Sequence, residues 1–159
     1  MTKVEEIINW RQINERITTS GQPTEAEFAA IKNSGVSVVI NLGPHSNRGA
    51  LMDEPGTLAD LGLEYIYIPV DFENPTDDDF DKFCAAMDRT TASKVHVHCI
   101  YNARVSAFFY RYATEGRGGS ADEAFSTMDG IWRPGGVWAD FIGKPEDRDQ
   151  PNRFLGYEY

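Results

Sequence analysis

The sequence predicts an α/β fold in which a mainly parallel central sheet is flanked by helices on both faces, as three αβα layers. Apolar runs of strand length, "VSVVINL", "LEYIYIPV" and "KVHVHC", are separated by segments whose apolar residues recur at helical spacing. Strands that alternate with helices are typical of parallel sheets. The 159 residues contain no internal repeat and no linker-like stretch, so they predict one domain over 1–159 with a core at about 15–142.

The first helix is predicted to begin after Thr24 and to end at Gly35. Thr24 and Glu27 have the spacing of a capping box, in which each side chain accepts from the backbone N–H of the other residue. Phe28 and Ile31 follow at helical spacing. The strand "VSVVINL" comes next, and the loop "GPHSNRG" and a short helix through "GTLADLG" precede the strand "LEYIYIPV".

The third predicted helix begins after Thr76, and the aspartates 77–79 in its first turn interact favourably with the helix dipole. Its apolar positions, spaced i, i+3, i+4 and i+7, are Phe80, Phe83, Cys84 and Met87. The same spacing follows the strand "KVHVHC" at Val105, Phe108, Phe109 and Tyr112. A capping box at Ser120 and Glu123 predicts a further helix, and "GGVWADFI" predicts a short last one. Residues 143–159 are polar and are expected to form a tail outside the core.

Charge and composition exclude several classes of function. The formal net charge of −10 argues against a general surface for nucleic acid or for an anionic membrane. No apolar run approaches the length of a membrane span, and the start "MTKVEEIINW" lacks the pattern of a secretion signal, so a cytoplasmic protein is expected. Two cysteines do not make a disulfide framework, and in a reducing compartment both are free thiols.

One of these cysteines stands where the third strand ends and a helix is predicted to begin. Cys99 closes the strand, and Arg104 follows near the helix N-terminus. The backbone N–H groups between them, together with the helix N-terminus, are expected to form a nest for an anion and to keep Cys99 largely as the thiolate. Arg104 can hold two phosphate oxygens with its planar fork, and Ser106 can donate to the thiolate. These residues predict a cysteine nucleophile that attacks phosphorus.

The segment "VHVHC", with its downstream arginine and hydroxyl residue, resembles the signature of the protein tyrosine phosphatase superfamily: His-Cys, five residues, Arg, then Ser or Thr. The order of "TSGQPTEAEFAAIKNSGVSVVINL", "GLEYIYIPVDFENPT" and "VHVHC" is similar to that of its small dual-specificity members. More closely, the chain resembles a family of small bacterial phosphatase-like proteins that share "SGQP", "VINL", "IPVD" and an HCxxNxRxSAF-like loop. The resemblance covers about residues 15–142.

The resemblance implies a tyrosine-phosphatase-like fold and a phosphatase whose cysteine becomes a phosphocysteine. Cys99 is then the nucleophile, Arg104 binds the phosphoryl oxygens, and a carboxylic acid in an earlier loop protonates the leaving group. Asp71, which lies 28 residues before Cys99, matches that acid, and Glu73 is the second choice. Arg48 follows another strand and is expected to reach a substrate oxyanion. The expected substrate-binding set is His98, Ile100, Tyr101, Asn102, Ala103, Arg104, Val105, Ser106 and Arg48.

The loop departs from the superfamily in length. Four residues, Ile100 to Ala103, separate Cys99 from Arg104, and no glycine is present. Asn102 stands nearest to the missing glycine and tolerates a left-handed conformation better than most residues. Rhodanese-type sulfurtransferases also have a cysteine loop one residue shorter than their phosphatase relatives, so sulfur transfer through a persulfide is an alternative. The "GHIPGA"-like segment that rhodaneses usually carry is not present.

The expected activity is hydrolysis of a phosphomonoester, either phosphotyrosine-like or a small phosphorylated molecule, with no metal and no organic cofactor. The expected partner is a phosphorylated protein or small-molecule substrate, not nucleic acid or membrane, and the oligomeric state is open. A module that binds phosphate without chemistry is a third alternative. His96 and His98 alternate with valines and share a strand face, but Cys99 points to the other face, which disfavours a metal site. His98 is expected to hydrogen-bond near the loop, and Gly21 is expected to lie in a turn near the site.

Overall fold

The computed structural model describes residues 2–115 and 126–155, and within them it confirms the α/β fold. The strands of the central sheet are β1 (Arg11–Gln12), β2 (Ile17–Ser20), β3 (Val38–Asn41), β4 (Glu64–Tyr67) and β5 (Val95–His98). Their order is β1-β2-β5-β3-β4. The four strands β2, β5, β3 and β4 pair in parallel, and β1 runs antiparallel to β2 at one edge. A separate antiparallel pair joins β6 (Trp132–Arg133) to β7 (Arg153–Phe154).

The helices form where capping residues and apolar spacing place them. They are α1 (Glu25–Asn33), α2 (Glu54–Asp60), α3 (Asp77–Arg89), α4 (Ala103–Thr114) and α5 (Gly136–Phe141), with 3-10 turns at Val4–Glu6 and Pro145–Asp147. The predicted capping box at Thr24 is present, and Thr76 forms a second one with Asp79. Helix α2 begins earlier than predicted because Asp53 accepts from the amide of Gly56 at its N-terminus. None of the helices within 2–115 and 126–155 is long and apolar enough to span a bilayer.

The two faces of the sheet carry different side chains because strand residues alternate. Val39 packs with Phe28 and Leu58 in the smaller apolar cluster, which lies under α1 and α2. Residues of opposite parity, such as Ile40 and Val97, belong to the larger cluster under α3, α4 and α5. His96 and His98 pair in register with Val39 and Asn41, so both histidines lie on the α1 and α2 face. The fold therefore has three layers, with the sheet in the middle, and the end of β5 lies between the two layers of helices.

Three parts of the chain differ from the sequence prediction or lie outside it. The strands β1 and β2 were not predicted because they are short and three of the four residues of "ITTS" are polar. The predicted helix at Ser120 falls on residues outside the described ranges. The polar tail packs against the domain as far as residue 155, because Phe154 stacks on Trp132 with ring centroids 5.4 Å apart.

Candidate active site

The cysteine loop, Cys99 to Arg104, connects the end of β5 to the start of α4. Three of its carbonyl oxygens are bound by groups outside the loop. The Cys99 carbonyl faces Nδ1 of His98 at 3.0 Å. The Ile100 carbonyl accepts from the backbone N–H of Gln22 at 3.0 Å, and the Tyr101 carbonyl accepts from the side-chain amide of Asn9 at 2.8 Å. In a trans peptide the C=O and the next N–H point in opposite directions. The N–H groups after these three carbonyls are therefore directed away from His98, Gln22 and Asn9, as an anion nest requires.

Asn102 takes the left-handed conformation that the sequence suggested, with φ of 74°. Its side chain does not cap α4; instead its amide donates to the Asn9 carbonyl at 2.8 Å and to the Thr19 hydroxyl at 3.1 Å. These two bonds fix the turn into α4 without covering the helix N-terminus. The first turn of α4 therefore adds its dipole to the nest.

Two glycines let neighbouring backbone approach the cysteine loop. A Cβ at Gly21 would lie 2.6 Å from the Ile100 carbonyl oxygen, and one at Gly43 would lie 3.3 Å from Cα of Cys99. Any side chain at Gly21 would therefore push the loop away. Gly21 was expected in a turn near the site, and the structure gives it this close contact. Gly43 was not identified from the sequence.

Arg104 is almost fully buried beside the loop. Its Nε donates to the Val70 carbonyl at 2.9 Å, and Nη2 donates to Oδ1 of Asn47 at 3.0 Å. The guanidinium carbon lies 5.1 Å from the centre of the Phe72 ring. Burial lowers the pKa of Arg104, while the negative charges of Cys99 and Asp71 act to raise it, and the net shift is downward.

Asp71 follows Val70 directly, so the segment that holds Arg104 also carries the expected general acid. Asp71 is exposed, and its Oδ1 accepts from the amide of Glu73 at 2.9 Å in a local turn. The next residue, Phe72, has its carbonyl bound by the indole of Trp138 at 2.7 Å. Helix α5 therefore anchors this segment. Glu73 is also exposed, and the electrostatic contact with Arg104 is made by Asp71.

His98 supports the loop from behind through a buried ion pair. Its Nδ1 faces a carbonyl, which only accepts, so Nδ1 carries a hydrogen. Its Nε2 lies 2.7 Å from Oε2 of Glu54, whose other oxygen accepts from Gln22 at 2.8 Å. Burial raises the pKa of Glu54, but the charge of His98 and the hydrogen bonds from His98, Gln22 and Tyr65 lower it, and the net shift is downward. Glu54 is thus a carboxylate, and His98 carries hydrogens on both nitrogens.

His96 belongs to the core and not to the site. Burial, followed by the nearby charge of His98, lowers the pKa of His96 to about 3, so its ring is neutral. The Ser20 hydroxyl donates to the Gly21 carbonyl and therefore accepts from Nε2 of His96 at 2.7 Å. The Thr18 hydroxyl then donates to Nδ1 of His96 at 2.7 Å.

The structure places the remaining predicted residues differently. The hydroxyl of Ser106 donates to the Ala103 carbonyl at 3.0 Å and accepts from the indole of Trp132 at 3.0 Å. Its one proton is used within α4, so donation to the thiolate, which the sequence suggested, is not what this conformation shows. Arg48 is exposed, and its neighbour Asn47 contacts Arg104 instead. The side chains of Tyr101, Ala103 and Val105 are buried in the large apolar cluster, so these residues can meet an anion only through their backbone.

Cys99 itself has 0% exposure in this conformation. It is a free thiol, as is Cys84, which lies in the core of α3 as predicted. Within the described residues, no group of three His, Cys, Asp or Glu side chains could hold a metal ion. In this conformation the side chain of Cys99 is closed to solvent.

Sequence reasoning missed Asn47 and Glu54, which contact Arg104 and His98 at the candidate site. Asn47 lies in the "GPHSNRG" loop, where the charged Arg48 was the stronger signal. Glu54 opens a helix, a position where a glutamate is usually solvated. Its partner His98 is 44 residues away, and no local pattern marks that contact.

The fold and a large part of the sequence match known proteins. Two crystal structures of the DUF442 phosphatase-like protein of Shewanella putrefaciens CN-32 are similar to this chain. One is 37% identical, covers 79% of this chain and 81% of its own, and has a TM-score of 0.72. The other is 34% identical, covers 87% of this chain and 91% of that chain, and has a TM-score of 0.76.

More distant structures share the fold. P. aeruginosa TpbA, crystallised in complex with pTyr, has a TM-score of 0.63 at 15% identity, with 81% of this chain and 75% of that one covered.

A segment of 93 residues, 55% of this chain, is 37% identical to the beta-lactamase hydrolase-like protein of Xylella fastidiosa (strain 9a5c), of which it covers 21%. The chain thus spans about a fifth of the length of that curated relative. No family model matches the chain.

Both Shewanella structures match more than three quarters of this chain at 34% identity or more. The chain belongs to the DUF442 family of phosphatase-like hydrolases, and it has the fold of the protein tyrosine phosphatase superfamily.

Proposed function

We propose that the protein is a cysteine-dependent phosphatase that hydrolyses a phosphomonoester through a phosphocysteine on Cys99. The observation that carries the proposal is the cysteine loop, whose carbonyls at residues 99–101 are held by hydrogen bonds, so that the N–H groups that follow them are turned away from those partners. Developing negative charge on a phosphoryl group is stabilised by fixed N–H donors of this kind. The doubly protonated His98 adds positive charge behind Cys99.

In the first step the Cys99 thiolate attacks phosphorus, and the bond from phosphorus to the leaving oxygen breaks. Asp71 gives its proton to that oxygen, which leaves as an alcohol or phenol. In the second step Asp71 takes a proton from a water molecule that attacks the phosphocysteine. The S–P bond breaks, and phosphate and the Cys99 thiolate are released. Arg104 holds two phosphoryl oxygens through both steps.

Arg104 would exchange its Asn47 contact to take that role. Nε and Nη2, which donate to Val70 and Asn47, are two of the five N–H donors of the guanidinium. A phosphoryl oxygen that replaces Oδ1 of Asn47 would recover the lost bond with a charge-assisted one.

The substrate that we propose is a phosphotyrosine-like or small phosphorylated molecule. TpbA, which shares the fold, binds phosphotyrosine, and the yeast enzyme SIW14, described as a PP-IP phosphatase, was crystallised with citrate. The phosphocysteine chemistry needs Cys99 as a reduced thiol, so we propose that the protein acts in the reducing cytoplasm.

The test compares Cys99→Ser with Cys84→Ser, because the chain offers the second cysteine as a matched control. Hydrolysis of para-nitrophenyl phosphate and free phosphotyrosine should be abolished in Cys99→Ser and retained in Cys84→Ser. Substantial phosphate release by Cys99→Ser would sink the proposal. If the protein binds phosphate but shows no turnover, and if Cys99 resists iodoacetate, the protein is a binding module instead.

Sulfur transfer is the second candidate, and the four-residue cysteine loop favours it. The Cys99 thiolate would attack the outer sulfur of thiosulfate, the S–S bond would break and sulfite would leave. Cyanide would then take the outer sulfur of the persulfide as thiocyanate and restore the thiolate.

Thiosulfate and cyanide distinguish the two candidates. Thiocyanate production, with a one-sulfur mass adduct on Cys99 by mass spectrometry, would establish transfer. This reaction has no alkoxide or phenoxide to protonate, so Asp71→Asn should leave it unchanged. If thiosulfate leaves Cys99 unmodified, the sulfur-transfer hypothesis is dropped.

A further inference from the structure

Two asparagines hold each other across the back of the cysteine loop. The side-chain amide of Asn9 donates to the Tyr101 carbonyl at 2.8 Å, and the side-chain amide of Asn102 donates to the Asn9 carbonyl at 2.8 Å. Both acceptors are carbonyl oxygens, so each asparagine must present its NH₂ group to them. We call this reciprocal pair of bonds, Asn9 to Tyr101 and Asn102 to Asn9, the asparagine bracket. It ties the segment before β1 to the middle of the cysteine loop.

A tight turn fixes the position of Asn9. The Trp10 N–H donates to the Ile7 carbonyl at 3.1 Å, which closes a four-residue turn over 7–10. Asn9 is the third residue of this turn and has φ of 51°. A positive φ at the third position is typical of type II turns, which need glycine or asparagine there. Glycine would allow the turn but could not reach Tyr101, whereas asparagine does both.

Backbone contacts hold this turn at the cysteine loop. The Gly21 N–H donates to the Ile8 carbonyl at 2.8 Å, and the N–H of the next residue, Gln22, donates to the Ile100 carbonyl at 3.0 Å. A Cβ at Gly21 would lie 2.7 Å from Cγ2 of Ile8 and 2.6 Å from the Ile100 oxygen. Gly21 therefore contacts both the turn and the loop, and the bracket adds side-chain bonds between the same two segments.

The two asparagines share an uncommon backbone conformation. In the described part of the chain, Asn9 and Asn102 are the non-glycine residues with positive φ, at 51° and 74°. Asn102 is fully buried, and its second amide hydrogen goes to the Thr19 hydroxyl at 3.1 Å. Residues that their surroundings hold in a rare conformation cluster at functional sites. The loop, which has no glycine, is thus held in shape by side chains.

The bracket acts on the proposed chemistry through one peptide group. Asn9 holds the Tyr101 carbonyl, and the N–H of the same trans peptide belongs to Asn102 and is turned away from Asn9. This N–H is one of the donors that the proposed function assigns to the phosphoryl oxygens. If Asn9 released the carbonyl, the peptide could rotate and the donor would lose its fixed direction. Fixed donors stabilise developing charge because they need no reorganisation during the reaction.

We propose that Asn9 is a positioning residue for the chemistry of Cys99 and that Asn102 keeps it in place. The Asn9 side chain fixes the peptide between Tyr101 and Asn102, so that the Asn102 N–H is directed before the substrate arrives. The inference rests on the proposed function, because it assigns Asn9 to the anion nest of that same loop. In this role Asn9 does not touch the substrate, and it lies before the core of about 15–142 that the sequence predicted.

The test uses Asn9→Gly on the full chain, because glycine keeps the left-handed turn and removes only the side chain. The kcat for para-nitrophenyl phosphate should fall by about tenfold, and KM should change by less than about threefold. A misdirected donor is missed most where charge develops in the transition state, which explains this difference. In nitrogen-15 NMR spectra, inorganic phosphate should shift the Asn102 amide signal of the wild type and shift it less in Asn9→Gly.

Asn102→Gly tests the other half of the bracket. It allows the left-handed φ at residue 102 but removes the bond to the Asn9 carbonyl, so it should also lower kcat by about tenfold. Both variants break the same bracket, so the double variant should lose little more than either single one. Single losses that multiply to about a hundredfold in the double variant would show independent effects and overturn the inference.

Asn14→Gly is the matched control, since Asn14 also uses its side chain in a turn. Its Oδ1 accepts from the N–H groups of Arg16 and Ile17 at 2.8 and 2.9 Å, at the end of β2 that lies away from the cysteine loop. The control should lose stability but keep kcat, KM and the response of the Asn102 amide to phosphate. The inference is overturned if Asn9→Gly keeps wild-type kcat and amide response, or if Asn14→Gly causes an equal loss.

The amide signal also separates the inference from the proposed function. If the wild type does not hydrolyse para-nitrophenyl phosphate, the proposed function fails, and the response of the Asn102 amide to phosphate still decides the inference. A response in the wild type that is reduced in Asn9→Gly supports the positioning role. A wild-type amide that does not respond to phosphate overturns it.

Discussion

His98 and Glu54 form an ion pair that is closed off from solvent, with Nε2 and Oε2 2.7 Å apart and side-chain exposures of 0% and 1%. Burying two charges is costly unless their remaining hydrogen-bonding groups are also satisfied. Here the Gln22 side chain donates to the other oxygen of Glu54, and the Cys99 carbonyl accepts from His98. The pair is therefore a support for the cysteine loop whose loss should affect both stability and reactivity.

Glu54→Gln should lower the free energy of unfolding by about 3 kcal/mol, because it leaves a buried imidazolium without its counter-charge. It should also slow alkylation of Cys99. Urea denaturation measures the first effect. Glu64→Gln is the control, since Glu64 forms an ion pair of the same length with Arg89 in which both side chains are about half exposed. This change should lower the free energy of unfolding by less than about 1 kcal/mol. Equal costs in the two variants would contradict the buried role of Glu54.

Asp71→Asn should reduce kcat for phosphotyrosine by about a hundredfold and leave KM nearly unchanged, because the amide cannot protonate the leaving oxygen. The loss should shrink for substrates whose leaving group is a stronger acid and needs no proton. Glu73→Gln, two residues on, is the control and should retain activity. A larger loss in Glu73→Gln than in Asp71→Asn would exchange the roles of the two acids.

The protein should lose stability as pH falls below 6.5, because the unfolded chain takes up a proton on His96 that the folded protein does not. The pKa of His96 is lowered from its ordinary 6.5 to about 3 by burial and by the charge of His98. The contribution of neutral His96 to the free energy of unfolding is complete above pH 6.5 and is lost as pH falls toward 3. The loss between pH 7 and pH 5 should be about 2 kcal/mol.

Urea midpoints at pH 7 and pH 5 measure this slope. His96→Gln should flatten it, whatever the stability of the variant at pH 7. A slope that stays unchanged would assign the acid sensitivity to other groups. Glu54, whose lowered pKa stabilises the folded state above its ordinary value of 4.5, should add a further loss below that pH.

Gly21→Ala should disturb the cysteine loop, since the new Cβ would lie 2.6 Å from the Ile100 carbonyl oxygen. We expect a cost of about 1–3 kcal/mol and loss of the protection that phosphate gives Cys99 against iodoacetate. Gly143→Ala is a useful comparison because its Cβ would meet nothing within 4 Å, although its φ of 82° makes the change strained. It should cost about 1 kcal/mol and leave phosphate protection intact.

Local sequence signals predicted the frame of the site well. The capping boxes and the spacing of apolar residues place α1, α3 and α4 because these signals act within one or two turns of helix. The position of Cys99 at the end of a parallel strand follows from the same reasoning. The left-handed conformation of Asn102 follows from its place in a loop that lacks glycine.

The contacts that complete the site depend on residues far apart in the chain. Asn47 and not Arg48 reaches Arg104, and that choice depends on the course of the loop after β3, which Tyr67 fixes from another strand. Glu54 resembles an ordinary acidic start of a helix until the sheet brings His98 beside it. Such pairs leave no periodic trace in the sequence.

The hydroxyl of Tyr101 donates to the carbonyl of Leu155, and the Tyr101 ring meets the edge of Phe154 at 5.7 Å. A residue in the middle of the cysteine loop is thus fastened to the far end of the described chain. We therefore expect the reactivity of Cys99 to depend on the position of residues 153–155, which take no part in the proposed chemistry. Any change that shifts residues 153–155 should therefore alter turnover, so a binding partner that contacts this segment could control the cysteine loop from a distance.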